Sequence, residues 1–406
     1  MTAAEVARVQ RRTVRTLAAG QVLGGIAFGA TVSLGALLAA DVSGEESLSG
    51  LSVAAVTLGA ALCAIPLARL AARRGRRVAL TLGNIFSLVG IAIVLLAASV
   101  RSFPLLLVGV ILIGAGNAGN LQSRFAATDL SATGRRARDL GVVVWATTIG
   151  GVVGPLLLSP GEALGAVIGM PRLTGAYAFA VVAQVLALVL YLVALRPDPL
   201  LTAQRLARSG EAAREHIVER DNPRTARYAI FAVTGSHVVM AAVMAMTPVH
   251  LLHLTGGHVD LLIGITLGLH VFGMYGLSPV FGVIADRWGR TPTILVGQAV
   301  LAASLGTAAS WPHEPVAVVI ALFLLGLGWS ASVVAGAALL TESTTTLLRP
   351  RRQGLSDTIM TLSAAVGAAL AGVVLGAIGY GGLAISALVI VVAVCALAPT
   401  ARVAPR

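Results

Sequence analysis

The chain has 406 residues, of which 57% are hydrophobic and only 11% charged. A soluble domain carries about 25% charged residues, so the composition excludes an ordinary globular domain and points to a polytopic membrane protein. The formal net charge of +12 does not describe a nucleic-acid surface, because the basic residues fall between apolar runs rather than along one face.

The N-terminal stretch Thr2 to Arg15 is basic. The apolar run after it exceeds a signal-peptide core, and no cleavage pattern follows, so it reads as a retained first helix. Twelve runs are long enough to cross a bilayer at roughly 20 residues each. They lie near 16–40, 51–71, 77–99, 103–127, 138–159, 174–195, 227–249, 261–281, 292–310, 316–340, 355–378 and 381–398. Cys63 and Cys395 each sit inside an apolar run and give neither a disulfide framework nor a zinc spacing.

Arginine placement sets the sidedness. Arg8, Arg11, Arg12 and Arg15 precede the first run; Arg73, Arg74, Arg76 and Arg77 follow the second. Arg135, Arg136 and Arg138 follow the fourth, and Arg349, Arg351 and Arg352 follow the tenth. The alternate loops carry Arg101 and Arg172 with Asp41, Glu45, Glu46, Glu162, Asp260 and Glu314. The positive-inside rule then places both termini in the cytoplasm. All 29 cationic residues are Arg; with the Ala, Gly and Val richness this suggests a bacterial source and hence a multi-pass protein of the cytoplasmic (inner) membrane.

The hydrophilic stretch from Arg196 to Arg227 alternates Arg with Glu and reads as a solvated linker with a short surface helix. It gives the expected domains: a cytoplasmic segment 1–15, a six-helix bundle 16–195, a linker 196–226, a second six-helix bundle 227–398 and a tail 399–406. An internal repeat supports the division. Ala68-Arg-Leu-Ala-Ala72-Arg-Arg-Gly75-Arg-Arg77 follows the second run, and Gly282-Val-Ile-Ala-Asp286-Arg287-Trp-Gly289-Arg290 follows the eighth. The turns Gly134–Asp139 and Arg349–Gly354 match as well. Paired six-span halves holding cargo near mid-membrane are a transporter architecture.

The seventh and eighth runs carry soft metal ligands in pairs: Met240-Ala-Ala-Val-Met244 and His270-Val-Phe-Gly-Met274. Residues four apart share a helix face, and thioether and neutral imidazole donors suit Cu(I). Met240 and His270 each lie about nine residues from the outer end of their runs, roughly 13 Å deep at 1.5 Å per residue. Met244 falls one turn further out and Met274 one turn further in. His237 precedes Met240 on the same stripe, which makes a ladder of donors. Of seven Met in the chain, three lie within 240–246; Met246 falls off the stripe and reads as packing. His250, His253, His258 and Asp260 in the following loop form a weaker set at the mouth. An intramembrane ionisable group is a functional candidate by default, although Met also fills apolar cores and His also bonds neighbouring helices.

The Gly-x-x-x-Asp-Arg-x-Gly-Arg turn at 282–290, with twelve spans and a central linker, identifies the chain as resembling the major facilitator superfamily. The resemblance implies an all-α membrane protein of twelve transmembrane helices in two pseudo-symmetric bundles. It also implies a conformational latch at Asp286, Arg287, Gly289 and Arg290. The first-half copy has Ala68 for the Gly and Ala72 for the Asp, so a latch there needs another acid, Asp129 or Asp139. Gly141, Gly150, Gly154 and Pro155 in the fifth run resemble the antiporter motif of drug/proton exporters, without its trailing Gly-Gly. The two ligand pairs, together with Ser123-Arg-Phe-Ala-Ala-Thr-Asp129, resemble the CcoA-like branch of bacterial copper importers, to which riboflavin-type importers are related.

The expected function is secondary transport, most concretely copper import through Met240, Met244, His270 and Met274 with His237; the alternative is proton-coupled efflux of drugs or other small organic molecules. No Gly-x-x-x-x-Gly-Lys motif is present, and no nucleophile–base pair suggests an enzyme. The expected partners are a small cargo and the lipid bilayer, with no nucleic acid, no permanently bound cofactor and a monomeric state. Asp129, Glu342 and Asp357 lie near the cytoplasmic ends of their runs, with Arg124 one turn inside. No carboxylate lies mid-span in the first half, which weakens the proton-exchange alternative.

Overall fold

A computed structural model describes residues 1–45, 48–208, 221–255 and 260–401. Among the described residues the regular structure is helical throughout and no strand occurs. This is what a bilayer demands of a chain whose backbone groups must be satisfied within each segment. The first half contributes α1 (Ala3–Ser43), α2 (Ser49–Arg74), α3 (Arg76–Val100), α4 (Phe103–Ala126), α5 (Arg136–Leu156), α6 (Leu158–Val167) and α7 (Ala176–Ala194). A short α8 (Pro199–Arg208) occupies the linker. The second half contributes α9 (Pro223–Thr255), α10 (Asp260–Tyr275), α11 (Ser278–Trp288), α12 (Arg290–Ser310), α13 (Pro315–Glu342) and α14 (Arg349–Leu397).

Among the described residues nine helices are long and apolar enough to cross a membrane, or ten if the bent pair Arg136–Gly154 and Leu158–Val167 is one span. One of the nine, Arg349–Thr400, contains a non-helical break at Gly379 (φ 72°, ψ −178°) and so covers the eleventh and twelfth expected runs. With α1 over the first run, each of the twelve runs falls on a helix. The eighth run is itself broken. α10 stops at Tyr275 and α11 restarts at Ser278 with Pro279 in its first turn, where a missing N–H costs no hydrogen bond.

The described residues group into two compact units. One comprises Met1–Ser131, Ala146–Val218 and Thr346–Thr358; the other comprises Ala132–Trp145, Glu219–Thr345 and Ile359–Arg406. Each unit thus holds a short piece from the opposite half of the chain: the start of α14 in the first, the start of α5 in the second. In the first unit α4 packs on α3, α2 and α1, and α7 packs on α1 and α3. In the second, α13 packs on α12, α9, α10 and α11. The fourth and tenth runs therefore hold the same central place in their units, as the sequence repeat requires.

The repeat extends to backbone detail. Gly75 (φ 91°, ψ 167°) and Gly289 (φ 103°, ψ 160°) close the matching helices with nearly the same left-handed turn, a conformation that L side chains resist. The outer faces expose large apolar residues, among them Val182, Val189, Val193, Val366, Val373 and Val389, as lipid contact allows.

Candidate transport site

His270 is the most constrained of the expected ligands. It sits on α10 with no solvent exposure, and its Nδ1 lies 2.7 Å from the Leu322 carbonyl oxygen on α13. A carbonyl only accepts, so Nδ1 carries the proton and donates it. In the neutral ring Nε2 then keeps its lone pair. Nε2 is buried and has no hydrogen-bond partner among the described residues. A metal-binding histidine is commonly fixed in this way, with one ring N–H tied to a carbonyl and the other nitrogen free to coordinate.

Met274, one turn along α10, is 6% exposed, and Met240 on α9 is 4% exposed. Met244 is half-buried. The His270–Met274 turn is pressed against α13: a Cβ at Gly326 would lie 2.4 Å from the His270 carbonyl oxygen and 2.9 Å from the Met274 nitrogen. α9 and α10 share no substantial interface of their own among the described residues; α13 is the partner common to both. Met246 packs with Ala242, Ala371 and Leu383, in keeping with its position off the ligand stripe.

His237 is held differently. Trp329 of α13 donates its indole N–H to His237 Nδ1 at 2.8 Å, so that nitrogen is occupied and the neutral ring carries its proton on Nε2. Trp329 also meets the edge of Tyr275 at 5.6 Å between ring centroids. His237, Trp329 and Tyr275 thereby link α9 to α10 through α13. Sequence reasoning passed over Trp329 and Tyr275, although Trp329 stands in the middle of an apolar run where an indole N–H needs a partner. Of the mouth residues, His250 stacks on Tyr380 at 4.2 Å and lies 2.6 Å from the Pro312 carbonyl oxygen. The side chains of His253, His258 and Asp260 lie outside the described residues. Among the described residues no group of three or more His, Cys, Asp or Glu is placed to hold a metal ion.

The signature turn forms a built ionic site in the second unit. Arg290 Nη2 lies 2.7 Å from Asp286 Oδ1 and 2.7 Å from Glu342 Oε1. Asp286 also accepts the backbone N–H groups of Ala137 (3.2 Å) and Arg138 (2.8 Å) at the start of α5. A carboxylate there satisfies orphan donors and meets the positive end of the helix dipole. Arg287 is exposed, and Gly289 supplies the turn.

In the first unit the acid is Asp129. Arg76, the repeat counterpart of Arg290, donates from Nε to Asp129 Oδ2 at 2.9 Å and from Nη2 to Gln353 Oε1 at 2.7 Å. Burial lifts the Asp129 carboxyl above its ordinary range, and the Arg76 guanidinium works against that lift. A second buried pair joins Arg124 to Asp357.

Two glycines of the fifth-run motif, Gly141 and Gly150, are close-packed. Ser278 Oγ donates to the Gly141 carbonyl at 3.0 Å, and a Cβ at Gly150 would lie 2.5 Å from the Val22 carbonyl oxygen of α1. Gly154 is buried, and the side chain of Pro155 lies outside the described set.

The Major Facilitator Superfamily model matches residues 17–274 and 252–406. The chain belongs to this superfamily; it is a multi-pass membrane transporter and not an enzyme. An uncharacterized MFS-type transporter of Bacillus subtilis (strain 168), YdeG, is 36% identical over 91% of this chain and 87% of its own length. The riboflavin transporter RfnT of Brucella anthropi is 28% identical over 92% of each chain. Among solved structures, the human organic anion transporter MFSD10 superposes with a TM-score of 0.78 at 17% identity, over 96% of this chain and 99% of its own. That likeness is one of fold.

Proposed function

We propose that the chain imports copper across the bacterial inner membrane, with both termini cytoplasmic, passing Cu(I) between donors of α9 and α10. The observation that carries this reading is the His270 imidazole: Nδ1–H tied to Leu322, Nε2 buried with its lone pair unspent, and Met274 one turn away. A carrier needs few and soft ligands, so that the ion is held without being enclosed. Met240 and Met244 supply thioethers from the other helix. His237, whose Nδ1 is engaged by Trp329, serves to orient the aromatic link rather than to coordinate through that atom.

The test is uptake of labelled copper in a deletion strain carrying Met240→Leu, Met244→Leu, His270→Phe or Met274→Leu at matched membrane levels. Loss of a ligand is expected to cut uptake at limiting copper by tenfold or more, as even outer-shell changes cost about 10–100-fold in metal affinity. Unchanged uptake in all four variants overturns the reading.

One further observation favours a second cargo class. The aromatic set His237, Trp329 and Tyr275 would suit a flat conjugated organic molecule, and RfnT is a riboflavin transporter similar over nearly the whole chain. Labelled riboflavin uptake that survives His270→Phe and fails in Trp329→Leu would establish that cargo in place of copper. Dye or antibiotic sensitivity of the deletion strain with normal copper content would instead favour organic efflux.

A further inference from the structure

The linker helix closes a basic cleft that the transport site does not use. Its volume is about 290 Å³, and its lining includes Arg74, Arg77, Arg196, Arg205, Asp198 and Leu201. All of these lie in the first unit. Three elements bring the guanidinium groups together: the turn between α2 and α3 supplies Arg74 and Arg77, the end of α7 leads to Arg196, and α8 carries Arg205. Leu200 of α8 is fully buried against Ala71 and Ala79, so apolar packing holds α8 in place.

Four cations around one carboxylate repel one another. Asp198 is also largely committed elsewhere. Its Oδ2 accepts the Arg77 N–H at 2.8 Å, and its Oδ1 accepts the Leu200 and Leu201 N–H groups at 3.1 Å each. Among the described residues Arg196 spends only its Nε, on the Leu192 carbonyl at 3.0 Å. Arg74, Arg196 and Arg205 are exposed and Arg77 is half-buried. Among the described residues the cleft is therefore net positive and lined by four guanidinium groups, the arrangement that grips a phosphate.

What adjoins the cleft selects the source of that phosphate. α7 packs beside α3. Its lipid-facing surface exposes Val185, Val189 and Val193 at four-residue spacing, ending one turn before Arg196. On α3, Ile85 and Val89 are exposed in the same way. The α7 ladder runs about 12 Å at 1.5 Å per residue, along which an acyl chain can lie while its headgroup reaches the arginines. Basic pockets beside transmembrane helices are known to take anionic lipid headgroups. We propose that this cleft is a binding site for the phosphate of an anionic phospholipid, held by Arg74, Arg77, Arg196 and Arg205 with its acyl chains on the exposed faces of α3 and α7.

Native mass spectrometry of the full-length protein in detergent tests this. Phosphatidylglycerol and phosphatidylethanolamine of equal acyl length are offered, with inorganic phosphate as competitor. The wild type is expected to retain phosphatidylglycerol preferentially. Each of Arg74→Gln, Arg77→Gln and Arg205→Gln should weaken that retention about fivefold, and the triple variant about a hundredfold. Arg208→Gln, which removes a charge from the same helix outside the cleft, should change nothing. Equal retention of the two lipids overturns the proposal, as does an Arg208→Gln effect as large as that of Arg205→Gln. Complete displacement by inorganic phosphate at millimolar concentration would make this a free-anion site and remove the lipid. Should the triple variant fail to fold, the single variants decide.

Discussion

Arg76 and Asp129 are almost fully buried, and each is the other's ion-pair partner. Removing one partner leaves a desolvated charge, which costs about 3–5 kcal/mol, whereas replacing both with apolar groups of similar volume is often neutral. Arg76→Leu or Asp129→Leu alone is therefore expected to lower the thermal transition of the detergent-purified protein sharply, and the double variant Arg76→Leu/Asp129→Leu to recover most of the loss. Additive losses in the double variant would show that the pair is not the stabilising unit. At this scale the sequence was legible only through its repeat. The alignment of Gly75-Arg76 with Gly289-Arg290 pointed to an arginine in need of an acid, and Asp129 was one of the two acids weighed. The Arg124–Asp357 pair was not legible, because its members are 233 residues apart and no local pattern couples them. The His270 tautomer was equally hidden, since it depends on the Leu322 carbonyl of another helix.

Among the helices, α13 decides more than its sequence suggests. Its composition is almost uniformly apolar and gives no amphipathic face, yet it is the surface against which α9, α10, α11 and α12 all pack. At Gly326 α10 packs closely. Gly326→Val would place methyl groups against the His270 and Met274 backbone, and overpacking of this kind costs about 1–3 kcal/mol. If α13 positions His270, Gly326→Val should lose copper uptake in excess of its thermal destabilisation, while Gly268→Val, with nothing within 4 Å of a Cβ, should lose neither. Equal uptake in the two variants at matched protein levels would detach α13 from the cargo site. The positions of the spans were legible from hydropathy and loop arginines. Gly379 breaks α14 in the short gap between the eleventh and twelfth expected runs. The break at Gly276 and Leu277 was not foreseen, because the apolar run continues through it and only Pro279 marks the restart. The linker helix was expected on the surface; the burial of Leu200, Thr202 and Ala203 reflects an apolar face that a reading of its charges alone did not reveal.

For the molecule as a whole, the superfamily and its twelve-span helical fold were readable before any coordinates, because the signature turn, the repeat and the hydropathy agree. What the sequence did not show is that the compact units exchange pieces: residues 132–145 are counted with the second unit and 346–358 with the first. The start of α5 is the exchanged piece whose hold on its unit the geometry defines. For α5 the release has a defined cost. Asp286 accepts two backbone N–H groups at the start of that helix while paired with Arg290, and hydrogen bonds to a charged group contribute about 1.5–3 kcal/mol each. Asp286→Asn keeps the shape and removes the charge, so the attached state should lose about one such bond, a shift of roughly ten- to a hundredfold in the equilibrium. Hydrogen exchange at residues 136–141 should then accelerate by that factor. Unaltered exchange at the start of α5 in Asp286→Asn would show that the turn does not hold this helix, and the latch would have to be sought at Arg76 and Asp129 instead.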